Sequence, residues 1–483
     1  MSDPSPPIIV WFRQDLRLSD NPALSAADGR TVLPVYILDE EAPGAWGIGG
    51  AARWWLHHSL TALAEGLAAR GLPLVLRRGP AGRELSALMA ETGADTVHWN
   101  RCYEPYATKR DAAIKAEFAE RGLAARSFNG SLLAEPWTLK TGAGQPYRVF
   151  TPFWKALLAA PPPEPPLPVP GGLRPPARVP AADDLASWRL LPTRPDWAGG
   201  LRETWTPGEA GAQARLADFL DGPVAGYKTM RDFPGVEGTS RLAAHLHFGE
   251  VSPRQVWAAA RMLEAVEGGT GTSGIDSFLR EIGWREFCYN LLYNYPDIPD
   301  RPLNPRFEAF PWTPDATTLS AWQRGRTGYP IVDAGMRQLW RTGWMHNRVR
   351  MIVGSFLVKH LLQPWQAGEA WFWDTLVDAD LANNACGWQW IAGCGADAAP
   401  YFRVFNPVLQ SRKFDPEGAY IRRWVPELAG LPDAWLHEPW TAPADVLRRA
   451  GVTLGTVYPR PIVDLAAGRD RALAALATLG EAS

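Results

Sequence analysis

A short run of glycine, hydroxyl and guanidinium groups, Gly238-Thr239-Ser240-Arg241-Leu242, stands directly before a stretch with helical spacing. Backbone amides, two hydroxyl groups and a guanidinium are groups that bind a phosphate or pyrophosphate. Thr and Ser are also favoured at the start of helices that bind no ligand. The segment is therefore a candidate phosphate site, and an ordinary helix cap is the alternative.

A second candidate is the basic stretch around Trp344–Met351. No acidic residue occurs from Ala334 to Gly368. The same stretch carries five basic residues, Arg337, Arg341, Arg348, Arg350 and Lys359. Helical spacing places Met345, Val349, Ile352 and Phe356 on one apolar face, with Arg348 beside it. Two interpretations stay open, a solvated basic face or a surface that faces an anion such as DNA phosphate.

Carboxylates and amides follow this stretch among aromatic residues. They are Asp374 in Trp371-Phe372-Trp373-Asp374, then Asp378, Asp380, Asn383 and Asn384, just before Trp388-Gln389-Trp390. Buried carboxylates need partners, and the basic stretch upstream could supply them. The chain has 24 tryptophans, which are large, polarizable and redox-active. One tryptophan cluster is more often core than cofactor site, but several clusters beside paired polar groups favour a cofactor site.

Two familiar phosphate motifs do not explain the chain. The pattern GxxxxGK[ST] is absent from the sequence, so a P-loop nucleotidase is excluded. A GxGxxG occurs at Gly269, Gly271 and Gly274. It follows a helical stretch, Val256–Val266, rather than a strand, and we expect a flexible loop there.

Composition narrows the class further. The formal charge of −2 gives no bulk argument for nucleic-acid binding, which would need a local basic patch. The four cysteines, Cys102, Cys288, Cys386 and Cys394, lack zinc-ligand spacing. We therefore expect free thiols, no metal site and a reducing compartment. The sequence contains no apolar run of membrane-spanning length and no secretory signal pattern, so we expect a soluble cytoplasmic protein.

These candidate residues must be positioned by two kinds of element. Short β-rich runs occur at Ile8–Phe12, Thr31–Leu38, Pro73–Arg78, Thr96–Asn100 and Ala124–Asn129. Helical stretches such as Ala51–Arg70 and Thr108–Arg121 alternate with them, and Gly71 and Gly122 stand where helices should end. This alternation predicts an α/β domain with a parallel, five-stranded, Rossmann-like sheet.

The rest of the chain predicts a long connector and an all-α domain. Residues 161–180 are rich in proline and predict an extended surface linker. From Trp205 onward the pattern is helical. We place the domains at residues 1–135, 136–204 and 205–483.

The motifs in their order resemble the photolyase/cryptochrome family over essentially the whole chain. Val10–Arg17 resembles the family's opening strand and loop, and Gly238–Leu242 its flavin phosphate loop. The other matching segments are Glu281–Phe287, Gly328–Ala334, Trp344–Met351, Asp378–Trp390 and Phe402–Pro407. The resemblance implies an antenna domain followed by a helical domain that binds FAD.

The resemblance also implies which residues hold FAD. Tyr227 and the segment Thr239, Ser240, Arg241 and Leu242 would hold its phosphates. Arg350 and Asp378 would form an ion pair beside the flavin ring, with Asp380 near its ribityl and carbonyl edge. Asn384 would face flavin N5, and Trp344 would complete the cofactor site. No residue is implied as a metal ligand.

Catalytic and DNA-binding residues are implied in the same way. Trp388, Trp365 and Trp312 match the three tryptophans that carry an electron from the surface to the flavin, although each has an ordinary packing role as its alternative. Glu281, in a dry pocket, would hydrogen-bond a flipped pyrimidine dimer and stabilise its radical anion. Trp284 and Trp390 would sandwich the dimer, Asn347 and Met351 would line the pocket, and Arg348 would bind a flanking phosphate.

Several positions favour one branch of the family. Enzymes for (6-4) photoproducts carry His at the positions of Asn347 and Met351 and Gln at Glu281, and plant cryptochromes carry Asp at Asn384. The implied function is light-driven splitting of cyclobutane pyrimidine dimers, as in microbial class I/III photolyases. A blue-light cryptochrome without repair activity is the alternative, and a flavin-free adenine-nucleotide-binding protein is a more distant one.

The antenna pigment is the least determined part of the sequence. Glu104-Pro105-Tyr106 and Arg53-Trp54 lie in plausible regions between the α/β domain and the connector. We expect 5,10-methenyltetrahydrofolate, with a deazaflavin as the alternative. The expected partner is UV-damaged DNA, bound by a monomer.

Overall fold

The N-terminal part of the chain folds around a parallel sheet, as the sequence predicted. The computed structural model describes residues 6–266, 272–397 and 402–480. The strands are β1 Ile8–Phe12, β2 Val32–Leu38, β3 Val75–Arg78, β4 Thr96–Asn100 and β5 Ala124–Phe128. Their spatial order is β3-β2-β1-β4-β5, and every pair is parallel. All of β1 is buried because it is apolar and lies at the centre of a sheet covered on both faces.

Helices make up most of the rest of the structure. In chain order the α-helices are α1 Pro22–Ser25, α2 Gly50–Ala68, α3 Ala81–Thr92, α4 Pro105–Glu120, α5 Phe150–Ala159, α6 Gly199–Thr204, α7 Glu209–Leu220, α8 Pro223–Met230, α9 Ala243–His247, α10 Pro253–Val266, α11 Thr272–Asn294, α12 Ala316–Gln323, α13 Pro330–Thr342, α14 Asn347–Ser355, α15 Trp365–Thr375, α16 Leu381–Ala392, α17 Pro407–Phe414, α18 Ala419–Trp424, α19 Asp433–Leu436, α20 Ala444–Arg449 and α21 Leu465–Ala477. Short 3-10 helices lie at Gly44–Trp46, Leu185–Trp188, Pro305–Ala309, Pro426–Leu428 and Pro439–Thr441. Gly71 and Gly122, just beyond α2 and α4, have positive φ, which glycine adopts without steric cost.

The connector contains more structure than its sequence predicted. Residues 161–180 form no helix or strand, as expected, and Arg174 makes one isolated bridge to Thr31. Helices α5 and α6, however, lie inside the stretch 136–204. Both are short and held by tertiary packing, since Phe150, Phe153 and Leu201 are buried against other elements. The domain boundaries at 135 and 204 stay a prediction.

Two details of the helical domain differ from the expected pattern. Met345 lies before α14, whose first turn is capped by the side chain of His346, so the expected apolar face is not one continuous helix. After α14 the chain makes one π-helical turn, Phe356–His360. Met345, Val349, Ile352 and Phe356 are nevertheless all buried in the same core. Of the GxGxxG glycines, Gly269 and Gly271 lie outside the described residues, and Gly274 lies in α11.

One hydrophobic core joins the two domains. Trp54 and Trp55 of α2 pack with Phe248, Trp344 and Val377 from the helical domain. The cysteines Cys102, Cys288, Cys386 and Cys394 are free thiols. Within the described ranges, no helix combines the length and the apolar character that crossing a bilayer requires.

Candidate functional site

A cavity of about 610 Å³ lies inside the helical domain. Its size is within the range of small-molecule and cofactor sites. It brings together most of the residues proposed from the sequence, namely Tyr227, Thr239, Ser240, Arg241, Leu242, Glu281, Trp284, Trp344, Asn347, Arg348, Arg350, Met351, Asp378, Asp380, Asn384, Trp388 and Trp390. Trp365 and Trp312 lie elsewhere, in the core behind the wall.

The proposed phosphate segment forms one wall. Arg241 has a positive φ of 53°, and its guanidinium lies over the ring of Trp344 at 4.7 Å. One of its nitrogens, Nη2, donates to Glu237 at 2.7 Å, whereas the buried Nε has no partner among the described residues. Helix α9 is capped at Leu242 without a side-chain hydrogen bond, so Thr239 and Ser240 are not its N-cap. The geometry therefore favours the ligand interpretation over the helix-cap alternative.

An ion pair forms another part of the wall. Arg350 Nη2 donates to Asp378 at 2.8 and 3.0 Å, and its Nε donates to the carbonyl of Met345 at 2.8 Å. The carboxylate is almost fully buried, with 3% of its side chain exposed, whereas 23% of the Arg350 side chain is exposed. Asp378 lies in the loop between α15 and α16, opposite α14, so the pair fixes three elements around the cavity.

Asp380 is held by more partners than the sequence suggested. One carboxylate oxygen caps α16 by accepting from Asn383 N at 2.9 Å and from Asn383 Nδ2 at 2.6 Å. The other accepts the hydroxyl of Tyr289 and lies 3.4 Å from His247 Nδ1. Burial by itself raises the pKa of Asp380, but His247, Arg285 and Tyr289 together hold it below its usual range. The group is therefore a fixed negative charge at the cavity wall.

Asn384 and Glu369 form a pair behind the cavity. Asn384 Nδ2 donates to the backbone carbonyl of Glu369 at 3.0 Å, which fixes the orientation of the amide. Glu369 is fully buried, and neither carboxylate oxygen has a hydrogen-bond partner in the described ranges. Burial raises the pKa of Glu369 well above its usual range. We therefore treat this side chain as a neutral acid.

The mouth of the cavity carries two further ion pairs, both made by the end of α8. Arg231 pairs with Glu281 of α11, and Asp232 accepts from Arg348 Nη2 of α14 at 2.7 Å. The Arg348 guanidinium lies over Phe414 at 4.4 Å. Glu281 was expected in a dry pocket, but 30% of its side chain is exposed and it has an ionic partner. The expected isolation of this carboxyl is therefore wrong for the protein without DNA.

Flat and small side chains complete the mouth. Trp284 stacks on Phe150 with ring centroids 3.7 Å apart and an interplanar angle of 6°, so one face of its ring is fixed by packing. Trp390 is half-buried, Asn347 is exposed, and Met351 is half-buried. Two aromatic platforms, an amide, a carboxylate and a guanidinium thus surround one opening, which suits a planar, hydrogen-bonding ligand with a phosphate attached.

Comparison with known proteins decides the family. A profile described as DNA photolyase matches residues 8–171, and one described as the FAD binding domain of DNA photolyase matches residues 278–478. The chain is 53% identical to the deoxyribodipyrimidine photo-lyase of Agrobacterium fabrum, over 99% of each chain. The chain belongs to the photolyase/cryptochrome family.

Other members of the photolyase/cryptochrome family are also similar. A crystal structure of a bacterial class III photolyase from Agrobacterium tumefaciens matches with a TM-score of 0.95 and 52% identity, covering 99% of this chain and 98% of that one. Cryptochrome-2 of Arabidopsis thaliana is 42% identical over 98% of this chain and 79% of its own length. The fold predicted from the sequence, an α/β domain followed by a helical FAD-binding domain, is confirmed.

The cavity of this photolyase/cryptochrome protein fits FAD by its chemistry. At one wall a buried guanidinium nitrogen without a partner in the described part of the chain and two hydroxyl groups suit a pyrophosphate. At another, Arg350 and Asp378 offer charge and hydrogen bonds to a polar ring edge. Asn384 stands on the same wall with its amide held in place.

The three tryptophans of the expected electron path differ in position. Trp388 lines the cavity and packs on the backbone of α15, where a Cβ on Gly368 would come within 2.1 Å of its ring. Trp365 is fully buried in the same core, and Trp312 is half-buried against it, with its ring 4.3 Å from Phe310. Burial thus decreases outward from Trp388 and Trp365 to Trp312.

The basic stretch is neither a solvated face nor a free anion surface. Its arginines are each paired with an acid from another segment, Arg337 with Glu427, Arg341 with Glu203, Arg348 with Asp232 and Arg350 with Asp378. Lys359 is buried and donates to the carbonyl of Arg403 at 3.1 Å. Both interpretations left open by the sequence are therefore incomplete.

Sequence reasoning missed several residues around the cavity. These are Arg231, Asp232, His247, Arg285, Tyr289 and Glu369. The one available signal was Glu369, a lone acid within the apolar run of α15. The others show their role only when distant segments come together.

Proposed function

We propose that this protein splits cyclobutane pyrimidine dimers in DNA, using light and reduced FAD. The observation that carries the proposal is one continuous cavity that has a phosphate-type wall and a buried ion pair inside, and two aromatic platforms with a carboxylate at its mouth. Cofactor and lesion would therefore meet in the same space. The 53% identity to a deoxyribodipyrimidine photo-lyase over nearly the whole chain supports the same function.

The cofactor would be held by residues from five segments. Tyr227 and Thr239 to Leu242 hold its phosphates, Arg350, Asp378 and Asp380 hold the polar edge of its ring, and Asn384 holds an amide towards N5. Photoexcited reduced FAD supplies one electron to the dimer and receives it back after the ring opens. The chain contributes fixed donors in a water-excluded space, where they act more strongly than in water.

The lesion would enter the cavity flipped out of the duplex. A dimer stacks poorly, so its flipping costs less than that of intact bases. Trp284 and Trp390 stack on the dimer, Asn347 and Met351 border it, and Arg348 binds a neighbouring phosphate. Glu281 hydrogen-bonds the dimer where negative charge develops. For that contact the carboxylate must exchange its present partner, Arg231, for the lesion.

Electron supply to oxidised FAD would pass through Trp388, Trp365 and Trp312. The proposal is supported by the contact of Trp388 with the cavity and by the placement of the three residues in one core. Only the outermost, Trp312, has substantial contact with solvent among the three.

The antenna pigment would be 5,10-methenyltetrahydrofolate. In sheets of this kind ligands bind at the carboxyl ends of the strands where the strand order reverses. That position, between β1 and β4, is filled here by Arg13, which is buried, bonds to Asp111 at 2.6 Å and donates to the carbonyl of Asn100. The filled crevice disfavours a deazaflavin there.

A carboxylate beside the connector supports the folate. Glu104 is 3% exposed, and its Oε2 has no partner within the described residues. A pterin ring presents adjacent N–H donors that suit such an oxygen. Extraction of the purified protein and mass spectrometry test this choice, and a deazaflavin in the extract would contradict it.

The deciding experiment for the function is a repair assay. Chemically reduced protein is illuminated with blue light in the presence of an oligonucleotide with one cyclobutane dimer, and a matched oligonucleotide with a (6-4) photoproduct is the control. We expect repair of the first and not of the second. Binding of light by FAD without any repair would instead support a cryptochrome receptor, which the 42% identity to Cryptochrome-2 keeps as the second candidate.

We also propose that the protein acts as a cytoplasmic monomer. The four free thiols are consistent with a reducing compartment. Light scattering coupled to size-exclusion chromatography tests the oligomeric state, and a mass twice that of the 53.1 kDa chain would contradict it.

A further inference from the structure

Three aromatic side chains lead from the cavity wall to the protein surface on the side of the α/β domain. The ring centroids of Tyr289 and Tyr103 are 6.1 Å apart, and those of Tyr103 and Trp137 are 6.3 Å apart. Tyr289 and Tyr103 are buried, whereas Trp137 is 40% exposed. Tyr289 adjoins the cavity through Asp380 and Arg285, which both line it. The path is separate from Trp388, Trp365 and Trp312.

Each tyrosine of this path donates its hydroxyl proton to a carboxylate. Tyr289 donates to Asp380, and Tyr103 donates to Glu135 Oε2 at 2.7 Å. A buried tyrosine hydroxyl needs some hydrogen-bond partner, and a backbone carbonyl would be sufficient. Two successive rings that both donate to a carboxylate are instead what proton-coupled oxidation of tyrosine requires, since the phenol must lose its proton when it loses an electron.

Charges beside the path point the same way. The guanidinium of Arg285 lies 4.8 Å from the ring centre of Tyr289, and that of Arg101 lies 5.7 Å from that of Trp137. A fixed positive charge disfavours a cationic radical on the ring next to it. It does not disfavour a neutral radical, from which the proton has already left.

We infer that Tyr289, Tyr103 and Trp137 form a second route by which an electron enters the flavin cavity, with each step coupled to a proton transfer. This inference rests on the proposed use of FAD. It adds a function to Glu135 and to the loop that carries Trp137, both far from the lesion-binding mouth.

The steps balance as follows. Tyr289 loses one electron to photoexcited oxidised FAD and its proton to Asp380. Tyr103 then gives an electron to the Tyr289 radical and its proton to Glu135, while Asp380 returns the first proton to Tyr289. Trp137 reduces the Tyr103 radical, Glu135 returns the second proton, and the indole N–H proton of Trp137 leaves to water. The net result is one electron from Trp137 to the flavin and one proton to solvent.

The experiment is transient absorption of the FAD-loaded protein with Trp388→Phe, which blocks the first route at its inner end. We expect flavin photoreduction to persist more slowly, with the absorption of a neutral tyrosyl radical and slower kinetics in D2O. A tryptophanyl signal alone, without any tyrosyl signal, would overturn the inference, as would complete loss of photoreduction.

Two further variants are compared in the same background. Tyr289→Phe keeps the ring and removes the proton, and we expect it to abolish the tyrosyl signal. Tyr420→Phe is the matched control, since Tyr420 is a buried tyrosine that donates to Gln338 at 2.6 Å away from the cavity. Flavin content and the unfolding temperature show whether each variant is folded. Equal tyrosyl signals in the two variants would contradict the assignment.

Trp137→Phe tests the outer end without touching any residue beside the cavity. We expect the tyrosyl radical to form but to recombine faster with the flavin, so the yield of stably reduced flavin falls several-fold. An unchanged yield would remove Trp137 from the route. Repair by chemically reduced protein needs no photoreduction, so failure of the repair assay would reject the proposed function, whereas failure of these measurements rejects only the second route.

Discussion

The arginines at the cavity are each engaged by an acid before any ligand binds. Arg350 pairs with Asp378, Arg348 with Asp232, and Arg231 with Glu281. Breaking a buried pair leaves an uncompensated charge, which typically costs about 3–5 kcal/mol. A pair at the mouth is more exposed and is weakened by water and salt. The inner pair is therefore suited to holding the cavity in shape, and the outer pairs are suited to exchange for a ligand.

We predict that Arg350→Ala lowers FAD retention more than Asp378→Ala does. Arg350→Ala leaves the 3% exposed Asp378 carboxylate without its partner, whereas Asp378→Ala leaves a guanidinium that is 23% exposed and can still meet water. Bound flavin per protein after gel filtration measures the effect. The control is Glu427→Ala, which breaks the half-buried pair with Arg337 away from the cavity. Flavin loss in the control equal to that in Arg350→Ala would refute the role of the inner pair.

We predict that Glu281→Ala lowers the quantum yield of dimer splitting more than it lowers dimer affinity. Trp284, Trp390 and Arg348 still bind the lesion in this variant, but the hydrogen bond at the developing anion is lost, an effect of about 10²-fold for comparable donors. Binding and repair yield are measured on one oligonucleotide. Glu281→Gln, which keeps a donor, is expected to recover part of the yield. An unchanged yield in Glu281→Ala would remove the residue from the active site.

At the scale of elements, α11 connects the lesion mouth to the end of the α/β domain. The helix carries Glu281 and Trp284, and one turn later Glu286 accepts the backbone amides of Leu133 at 2.8 Å and Ala134 at 3.2 Å. Burial raises the pKa of Glu286 to about 7, although Arg285 and the two amides act in the opposite direction. The position of α11 relative to the connector therefore depends on a titratable group.

We predict that stability falls as the pH rises from about 4.5 to 7, and that Glu286→Gln removes this part of the pH dependence. The pKa of Glu286 is about 7 in the folded protein and ordinarily 4.5, so over this range the unfolded chain releases a proton that the folded chain retains. The largest contribution is about 3 kcal/mol. Urea unfolding at pH 5 and pH 8 measures it. Glu264→Gln on α10, paired with Arg261, is the control, and equal pH dependence in the wild type and Glu286→Gln would contradict the prediction.

The sequence predicted the elements better than their ends and their contacts. The strands Ile8–Phe12 and Thr96–Asn100 were predicted to the residue, because each is a short apolar run between clear breaks. Helices α5 and α6 were missed because they depend on packing of Phe150 and Leu201 by distant segments rather than on local pattern.

The site shows the same limit. The cavity residues were found through motifs, but the ionic partner of Glu281 was not, since Arg231 stands 50 positions away. Likewise, the helical spacing of Met345 with Val349 gave a correct burial and a wrong helix start, because the turn at His346 is fixed by a cap and not by the apolar pattern.

For the molecule as a whole, charge limits indiscriminate binding to DNA. The formal net charge is −2, so affinity for phosphate depends on a few local cations rather than on a general field. Asp232 occupies Arg348, one of those cations, in the free protein. A phosphate must compete with this carboxylate, and only a lesion that also fills the cavity compensates for the exchange.

We predict that Asp232→Asn tightens binding to undamaged DNA by several-fold, about 1 kcal/mol, and lowers the ratio of damaged to undamaged affinity. Filter binding at two salt concentrations measures both. Glu203→Gln removes the same charge from an exposed pair with Arg341 outside the cavity wall and serves as the control. If both variants change the ratio equally, overall charge rather than the Asp232–Arg348 pair sets the discrimination.

The π-helical turn Phe356–His360 has a consequence for how this protein can change in length. Such a turn holds one residue more than the α-helix would need over the same rise. Deleting one residue, such as Leu357, would restore the regular ladder and rotate everything downstream by about 100° relative to α14. Trp365 and the start of α15 would then be presented on another side. No substitution can produce this error, because substitution leaves the number of residues unchanged, so a deletion scan is the way to find it.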